Sequence, residues 1–322
     1  VHPLASTVAL SLPRHLNTLF FEEPLMTRKT AHDFDQELLI LFDAYVHGGI
    51  DRRTFLDKAA KFAVGGVTAA MLLDQLSPKF LEAQVVSPQD TRIRQEYVAF
   101  DSPDGYGRGR GYFVTPAAAT GRLPGILVIH ENRGLNPHIE DIARRIALDN
   151  FVAFAPDALF PLGGYPGSED DARQQFRQLD QAKTREDFVA AAMFLRGRPE
   201  CTGGIGAVGF CYGGGMVNYL ATRLGADLAA GVPFYGSAPN LEDVPQIRCP
   251  LLVQSAENDE RINASWPDYE RALQAAGVDY QRHLYPGTQH GFNNDTTPRY
   301  DEAAARLAWE RTIAFLNQHV RS

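Results

Sequence analysis

Short apolar runs alternate with longer segments of helical periodicity from about residue 92 onward. Several of the short runs are continuously apolar, which is typical of strands covered on both faces. The longer segments carry apolar residues every three or four positions. Strands that alternate with helices in this way predict an α/β fold with a mostly parallel, doubly wound sheet of about eight strands.

The predicted strands span residues 94–100, 111–115, 126–130, 152–155, 205–210, 229–235, 251–256 and 280–285. The predicted helices span residues 138–148, 170–179, 185–196, 214–223, 266–276 and 300–319. A turn-rich segment joins the first two strands, so we expect them to pair as an antiparallel hairpin at one edge of the sheet.

The amino-terminal part of the chain has a different character. Its apolar start lacks a basic region and is interrupted by Pro13, so it is a poor signal peptide. We interpret residues 1–25 as an upstream extension that precedes a natural start at Met26. We predict a helical arm over residues 26–90 and a main domain over residues 91–322.

Two interpretations compete for residues 51–73 of this arm. Arg52 and Arg53 precede an alanine-rich apolar stretch, which resembles a twin-arginine export signal and would direct the protein to the bacterial periplasm. Alternatively, the stretch is an amphipathic helix, because apolar residues recur near helical spacing at Phe55, Ala59, Phe62 and Val67. Lys58 and Lys61 interrupt the apolar run and count against an export signal. We favour the structural helix and therefore expect a cytoplasmic location.

Composition narrows the class of partner. The formal net charge is -8 over 322 residues and no basic run is present, which argues against nucleic acid. Cys201, Cys211 and Cys249 have neither the spacing of a zinc site nor that of a disulfide framework. No apolar run approaches the roughly 20 residues that cross a bilayer, so we expect no stable membrane insertion. We predict a small-molecule substrate, no metal and no cofactor, and we leave a homo-oligomer open.

One cysteine lies in an unusual local context. Cys211 follows an apolar strand and precedes a predicted helix, within the pattern Gly209-Phe210-Cys211-Tyr212-Gly213. This pattern matches the strand–turn–helix nucleophile elbow, with cysteine in place of serine. A helix amino terminus beside the cysteine also favours the thiolate, which is the form that attacks. The alternative is a buried structural cysteine at a tight turn.

A thiol nucleophile needs a base and an acid that orients the base. We assign the base to His290, in the loop after the last predicted strand, because folds with this elbow have the chain order nucleophile, acid, histidine. His130, at the end of an earlier strand, is the rival. The acid is expected after the strand 251–256, where we choose Asp259, with Glu257 as the alternative.

Acyl transfer also needs donors for the negative charge that develops on the carbonyl oxygen. Two preorganised N–H groups usually stabilise that charge. One is expected to be the main-chain amide of Tyr212, directly after the nucleophile. The other is expected to come from the segment "ENRGLNPH" after the strand 126–130, and we assign it to the amide of Asn132.

From about Arg94 to the C-terminus the chain resembles the dienelactone hydrolase family, within the α/β-hydrolase fold. The resemblance rests on the segments "VIHENRGLN", "FVAFAPDALF", "VGFCYGGG", "PFYG", "ENDERI" and "YPGTQHGF". It implies a triad of Cys211, His290 and Asp259. It also implies a role for Glu131, because in the family this glutamate lies beside the cysteine and helps to take its proton when substrate binds.

The chain departs from the family at the position that would bind a substrate carboxylate. Family members that act on the dienelactone hold its carboxylate with arginines, one of them four residues after the catalytic histidine, where this chain has Asn294. Arg173 matches the other arginine loosely. Arg133, Arg261 and Arg299 are the candidates to substitute. Hydrolysis is therefore expected, and recognition of a carboxylate stays open.

The sequence thus predicts a metal-free hydrolase that cleaves a small ester or lactone through an acyl-cysteine intermediate. A broad-specificity carboxylesterase is the alternative within the same class. A binding or sensing module on a silent hydrolase scaffold is the alternative of another class, since fold does not fix function. A redox-sensitive Cys211 is a further alternative, but nothing in the sequence places a resolving cysteine beside it.

Overall fold

The computed structural model describes residues 28–321 of the chain, so the predicted extension 1–25 and the predicted start at Met26 lie outside the described residues. An eight-stranded sheet forms the centre of the main domain. Its strands are β1 (Ile93–Ser102), β2 (Gly107–Pro116), β3 (Leu123–Ile129), β4 (Val152–Pro156), β5 (Cys201–Phe210), β6 (Ala230–Phe234), β7 (Leu251–Asn258) and β8 (Tyr280–Gln289).

The α-helices of the described residues are α1 (Gln36–Val46), α2 (Arg52–Ala59), α3 (Ala69–Leu76), α4 (Phe80–Ala83), α5 (Pro137–Leu148), α6 (Glu169–Phe176), α7 (Gln181–Arg196), α8 (Tyr212–Leu224), α9 (Glu260–Asn263), α10 (Trp266–Ala276) and α11 (Glu302–Val320). The six helices predicted from periodicity are all present. α7 begins four residues earlier than predicted, because the Asp180 carboxylate accepts hydrogen bonds from the free N–H groups of Ala182 and Lys183 and caps the helix there.

The strand order is β1-β2-β4-β3-β5-β6-β7-β8. β1 and β2 form an antiparallel hairpin at one edge, as predicted, and β2 is also antiparallel to β4. The remaining neighbours are parallel. The predicted mostly parallel α/β sheet is therefore confirmed. The order reverses between β3 and β5, and open α/β sheets form their binding crevice at such a reversal, beyond the carboxyl ends of the strands.

Both faces of the sheet carry a hydrophobic core. Side chains of a strand alternate between faces, so Ile126 and Val128 of β3 pack in the core that α5 covers. Leu127 and Ile129 of the same strand pack in the opposite core, with Phe188 of α7. All four β3 side chains are essentially inaccessible to solvent. Coverage of both faces explains why the central strands are continuously apolar in the sequence.

The arm forms a small hydrophobic core of its own, built from α1, α2 and α3. Phe55 and Ala59, two positions of the predicted amphipathic pattern, are fully buried in it. Phe62 and Val67, the other two, pack partly buried against it. The segment 51–73, in which an export signal competed with a structural helix, is folded here as α2, a 3-10 turn and the first part of α3.

No helix within residues 28–321 combines the length and the apolar character required to cross a bilayer.

Candidate active site

Cys211 occupies a strained turn between β5 and α8. β5 ends at Phe210, α8 begins at Tyr212, and the cysteine between them has φ +56° and ψ -111°. Non-glycine residues rarely adopt this positive φ, and a conformation of this kind costs of order 1–3 kcal/mol. The strained strand–turn–helix geometry predicted for Cys211 is present, and such strain is common where a side chain must be held at a reactive position.

The glycines beside Cys211 are required by close backbone approaches. A Cβ atom at Gly209 would overlap with the carbonyl oxygen of Gly213, and one at Gly213 would overlap with that of Ile129. At Gly215 a Cβ atom would meet only the hydroxyl of Ser237, a side chain that can rotate away. The turn can therefore form only with glycine two positions before and two positions after Cys211. Close backbone approach does not require a glycine at Gly215.

His290 and Asp259 form a buried hydrogen-bonded pair. Nδ1 of His290 donates to Oδ2 of Asp259 over 2.6 Å, and both residues are buried. Glu257, the alternative acid, instead accepts a hydrogen bond from the main-chain N–H of Gly287 over 2.7 Å. Nε2 of His290 is buried and forms no hydrogen bond with the described residues. This nitrogen is therefore free to exchange a proton with a neighbouring group.

The sulfur of Cys211 lies close to two imidazole rings. Nε2 of His47 is 3.3 Å from Sγ, and ring nitrogens of His47 and His290 together with Sγ all lie within 4.8 Å of one another. Imidazole nitrogen and thiolate sulfur are also ligands that Zn²⁺ prefers, so chelation belongs among the controls of any assay of this site.

These neighbours change the protonation of the cysteine. Burial alone would raise the pKa of Cys211, but the charges of His47 and His290 overcome it and lower the pKa to about 5. Burial would likewise lower the pKa of His290, but the Cys211 charge and the Asp259 hydrogen bond raise it to about 10. Both shifts favour a thiolate–imidazolium pair at neutral pH. In contrast, burial raises the pKa of Cys201 and of Cys249 to about 12, so both stay protonated.

His130, the rival base, is a buried structural residue. Its Nε2 accepts a hydrogen bond from the main-chain N–H of Ala158 over 3.1 Å, and its Nδ1 lies 2.5 Å from the carbonyl oxygen of Glu131. Burial lowers the pKa of His130 to about 4, so the ring is neutral at physiological pH. Both ring nitrogens are engaged in holding the end of β3 and the segment after β4.

Glu131 and Asn132 follow β3, beside the Cys211 turn. The Glu131 carboxylate is buried and accepts hydrogen bonds from Asn294 over 3.1 Å and from Arg133 over 3.4 Å. Burial opposes ionisation, but the Arg133 charge lowers the pKa of Glu131. The Asn132 side chain donates to the carbonyl oxygen of Val46 at the end of α1 over 2.9 Å. The Tyr212 amide, at the first position of α8, has no acceptor within its own helix.

Two of the arginines suggested for substrate binding are held by acidic residues of α6. Nε of Arg133 lies 2.6 Å from Glu169, and the pair is largely buried. Arg173 pairs with Asp170 and donates to the carbonyl oxygen of Tyr45 over 2.8 Å. Its guanidinium also stacks over the Tyr45 ring at 3.9 Å. Arg173 therefore fixes the arm to the main domain.

The other two arginines approach an aspartate of the arm. Nη1 of Arg299 is 3.1 Å from Asp43, and Nε of Arg261 is 3.9 Å from the same carboxylate. Nη2 of Arg261 is also 3.5 Å from Nδ1 of His290. Both arginines border a cavity of about 770 Å³ that lies between α1 and the segments after β7 and β8. The cavity is also lined by Asp43, His47, Asp259 and His290.

Asp43 and His47 are the site residues that sequence reasoning missed. They are four positions apart near the end of α1, so both lie on one face of the helix, and Gly48 follows directly. This Asp-x-x-x-His spacing was visible in the sequence. It is too common on helices to indicate a site when the distant Cys211 is not known to lie beside it.

The fold and the elbow define the chain as a member of the α/β-hydrolase class. A model of the dienelactone hydrolase family matches residues 110–320, and a second model, described as YqhI-like, matches residues 26–62. The chain therefore belongs to the dienelactone hydrolase family, as its resemblance predicted.

Relatives agree with this assignment. The chain is 35% identical to Protein usf of Aquifex pyrophilus over 227 residues, which cover 66% of this chain and 94% of that protein. It is 32% identical to a protein of Aquifex aeolicus provisionally named a carboxymethylenebutenolidase, with 66% and 94% covered. A stretch of 114 residues is 47% identical to a provisionally named hydrolase fragment, YghX, of Escherichia coli, covering 35% of this chain and 97% of the fragment.

Solved structures give the same result. A crystal structure of a provisionally assigned dienelactone hydrolase from Klebsiella pneumoniae superposes with a TM-score of 0.62 at 25% identity, covering 70% of this chain and all of that one. The dienelactone hydrolase-like promiscuous phosphotriesterase P91, from metagenomic libraries, gives 0.59 at 26% identity, covering 71% of this chain and 99% of that one. The chain is a hydrolase of this family.

Proposed function

We propose that the protein hydrolyses a small carboxylic ester or lactone, with Cys211 as the nucleophile and a thioester of Cys211 as the intermediate. The observation that carries the proposal is the position of the Cys211 sulfur at a strained elbow, beside the imidazole of His290, whose Nδ1 is held by Asp259 over 2.6 Å. Nucleophile, base and orienting acid are thus within reach of one another. The neighbouring cavity of about 770 Å³ suits a small molecule.

In the acylation half of the reaction, the Cys211 thiolate attacks the carbonyl carbon and the electron pair moves to the carbonyl oxygen. The amides of Tyr212 and Asn132 are the proposed donors to this oxyanion. When the intermediate collapses, the bond to the leaving oxygen breaks and the His290 imidazolium gives its proton to the departing alkoxide. The product is an alcohol, or the ring-opened end of a lactone, and a thioester on Cys211.

In the deacylation half, His290 acts as a base. Acylation removes the negative charge of Cys211, which is the main cause of the raised pKa of His290, so the imidazole can then be neutral. Nε2 takes a proton from water, the hydroxide attacks the thioester carbon, and the thiolate leaves as the carboxylic acid forms. Asp259 keeps Nδ1 protonated throughout, so Nε2 faces the reacting atoms.

The role of Glu131 in activating the thiol stays a prediction. Asn294 and Arg133 both donate to Oε2 of its carboxylate and hold the group in its present orientation. A turn of this carboxylate toward the sulfur on substrate binding would fit the role that the family resemblance implies.

The charge pattern around the site favours a neutral ester over a substrate with a free carboxylate. Arg133, Arg173 and Arg299 each form an ion pair with an acidic residue of this chain. A substrate carboxylate would have to compete with one of these pairs, or with the longer 3.9 Å contact of Arg261 to Asp43. We therefore favour the broad carboxylesterase, and a rate comparison between p-nitrophenyl acetate and cis-dienelactone distinguishes it. A higher kcat/KM for the dienelactone would restore the specific assignment.

The test of the proposal is hydrolysis of p-nitrophenyl acetate by a Cys211→Ala variant with an unchanged circular dichroism spectrum. We expect turnover to be abolished. Cys201→Ala is the matched control, because Cys201 is a buried thiol outside the site, and its folded fraction should turn over ester at the wild-type rate. Turnover that survives in Cys211→Ala would end the proposal. Absence of turnover in the wild type would favour a non-catalytic binding module.

A further inference from the structure

The end of α1 reaches over the Cys211 turn. Nε2 of His47 lies 3.3 Å from Sγ, although the two residues are 164 positions apart in the chain. The His47 ring is perpendicular to the His290 ring, with 4.6 Å between their centroids. The arm therefore contributes a second imidazole to the surroundings of the sulfur.

The second imidazole is held in the same way as the first. Nδ1 of His47 donates to the carbonyl oxygen of Asp43 over 2.8 Å and lies 3.2 Å from the Asp43 carboxylate. This arrangement keeps the proton on Nδ1 and directs Nε2 to the sulfur, as Asp259 does for His290. The Asp43 carboxylate is fixed in turn by Arg299 over 3.1 Å.

Hydrogen bonds from the main domain fix the position of the end of α1. The Val46 carbonyl accepts from Asn132, and the Tyr45 carbonyl accepts from Arg173. Both carbonyls belong to the last turn of α1, and that of Tyr45 also accepts from the main-chain N–H of Gly48 over 3.1 Å. Three successive residues of α1 and its cap are thus bound by groups of the main domain, and the arm presents His47 in a fixed position.

We propose that His47 and Asp43 form a second catalytic imidazole–carboxylate pair, by which the arm takes the proton of Cys211 and holds the nucleophile as a thiolate. The proposal rests on the proposed function, because it assigns His47 to the same reacting sulfur. The S–H proton moves to Nε2, the electron pair stays on sulfur, and the Nδ1–H group of the resulting imidazolium donates to Asp43. His290 keeps its own proton for the leaving alkoxide.

The same pair acts again in deacylation. When hydroxide has added to the thioester, the C–S bond breaks and the electron pair returns to sulfur. His47 releases its proton to solvent when Cys211 is acylated and regains one as charge returns to sulfur, and at 3.3 Å from Sγ its imidazolium then stabilises the departing thiolate. The cycle consumes no net proton of His47, because the alkoxide receives its proton from His290 and water replaces that proton. His47 and His290 therefore have different roles beside the Cys211 sulfur: His47 stabilises the thiolate, and His290 protonates the leaving alkoxide.

The charged groups that face His47 come from several elements. Asp43 lies on α1, the helix that ends beside His47. Cys211 lies on the turn after β5, and His290 lies on the segment after β8. Arg299 and Arg261, from the segment after β8 and from α9, reach the Asp43 carboxylate. Burial and the His290 charge disfavour the imidazolium of His47, but the Cys211 charge and the hydrogen bond to Asp43 outweigh them and raise the pKa of His47.

The test compares the alkylation of Cys211 by iodoacetamide across pH in the wild type and in His47→Ala, each measured with and without EDTA. We expect the midpoint of the His47→Ala profile to move upward by at least about one pH unit, because one of the two positively charged imidazoles beside the thiolate is lost. We expect kcat/KM for p-nitrophenyl acetate to fall about 10²–10⁴-fold, as for loss of a proton-transfer group. His47 borders the cavity, so added imidazole should restore part of the rate.

Two further variants separate this role from a structural one. His47→Gln keeps a hydrogen-bond donor but cannot carry the proton, so it should match His47→Ala in its pH profile. Asp43→Asn, which leaves the imidazole in place without its charged partner, should give an intermediate shift. Lys61→Gln is the control on the same arm, because Lys61 pairs with Glu37 at the surface. It should leave both the profile and kcat/KM unchanged.

Several outcomes would overturn the proposal. An unchanged alkylation midpoint in a folded His47→Ala variant would show that His47 does not hold the proton. A rise in kcat/KM in His47→Ala would mean that the His47 side chain obstructs the site and takes no part in catalysis. A wild-type profile that depends on EDTA would assign the same atoms to a metal ion. Alkylation is measured in the absence of ester. A failure of this proposal, seen as an unchanged alkylation midpoint, is therefore distinguishable from a failure of the proposed function, seen as ester turnover that survives in Cys211→Ala.

Discussion

The sulfur of Cys211 lies between two imidazole rings, each of which has its other nitrogen near a carboxylate. Desolvation alone would favour the thiol. The two rings reverse that preference because each offers positive charge within a few ångströms of the sulfur. The shifts favour an ion pair as the resting state, and we expect reactivity to depend on how far this pair persists as pH falls.

The pH range of the ion pair can be predicted from the two shifts. The pKa of Cys211 is lowered to about 5, so the thiolate exists above that value. The pKa of His290 is raised to about 10, so the imidazolium exists below that one. We expect the rate of iodoacetamide alkylation of the wild type to stay nearly constant from pH 8 to about pH 6 and to fall only near pH 5. A tenfold loss per pH unit below pH 8 is the behaviour of an unshifted thiol and would contradict the assignment.

The two acids after β7 give a matched pair of variants. In Asp259→Asn, Nδ1 of His290 loses its charged acceptor, and we expect kcat/KM for p-nitrophenyl acetate to fall about 10³–10⁴-fold. In Glu257→Gln, only an exposed contact to the Gly287 amide changes, so the rate should stay within about threefold of the wild type. Equal losses in the two variants would show that Asp259 has no special relation to His290.

At the scale of elements, the β5–α8 turn is the most constrained part of the site. The start of α8 packs so closely on β3 that Gly213 has no space for a Cβ atom beside the Ile129 carbonyl. Close contact of this kind holds the Tyr212 amide and the Cys211 sulfur in a fixed relation, because neither residue can move without the whole helix.

This packing predicts different costs for two glycine substitutions in one helix. Both gain about 1 kcal/mol of helix propensity when glycine becomes alanine. In Gly213→Ala the new methyl group overlaps with main-chain atoms of β3, and we expect a net loss of about 1–3 kcal/mol in the free energy of unfolding. In Gly215→Ala only the Ser237 side chain must rotate, so we expect the stability to be unchanged or to rise by up to about 1 kcal/mol. Urea denaturation measures both, and equal stabilities would contradict the account of the turn.

The elements of the main domain could be predicted because each carries its own local signal. Buried parallel strands such as β3 and β5 are continuously apolar, and the elbow pattern marks Cys211. The start of α7 could not be placed as well, because its Asp180 cap lies outside the apolar period. The pairing of His290 with Asp259 instead of Glu257 depends on the geometry after β7, which a sequence pattern does not contain.

The contribution of the arm could not be predicted at all. His47 reaches Cys211 across 164 positions, and only the tertiary packing of α1 brings them together. The arginines suggested for the substrate bind α1 and α6 instead, because unpaired buried guanidinium groups are costly and acidic neighbours neutralise them. Sequence patterns name the residue types of a site but not the partners that a second structural unit supplies.

At the scale of the whole molecule, the arm and the main domain have separate hydrophobic cores joined by polar contacts. The arm core contains Phe55, which is fully buried between α1, α2 and α3. Polar contacts such as the pair between Arg52 and Asp170 connect the arm to the main domain. Weakening the arm core should therefore loosen the arm without unfolding the sheet.

The variant Phe55→Ala tests this division. Loss of a buried phenylalanine typically costs about 3–5 kcal/mol, and here that cost falls on a small core. We expect limited proteolysis to cleave within residues 28–90 while the main domain stays resistant, and we expect ester turnover to fall together with the intact arm. Leu81→Ala is the control, because Leu81 is 92% exposed and its loss removes no core contact. Cleavage of arm and domain at the same rate would contradict two separate cores.

The central claim is that Cys211 carries the acyl group during turnover. Rapid acid quenching of the wild type with p-nitrophenyl acetate, followed by mass spectrometry of the intact chain and of its peptides, tests this most directly. The account predicts one acetyl group per chain, on the peptide that contains Cys211, and no such adduct in Cys211→Ala. Ester turnover with an unmodified chain, or with the acetyl group on another residue, would contradict it.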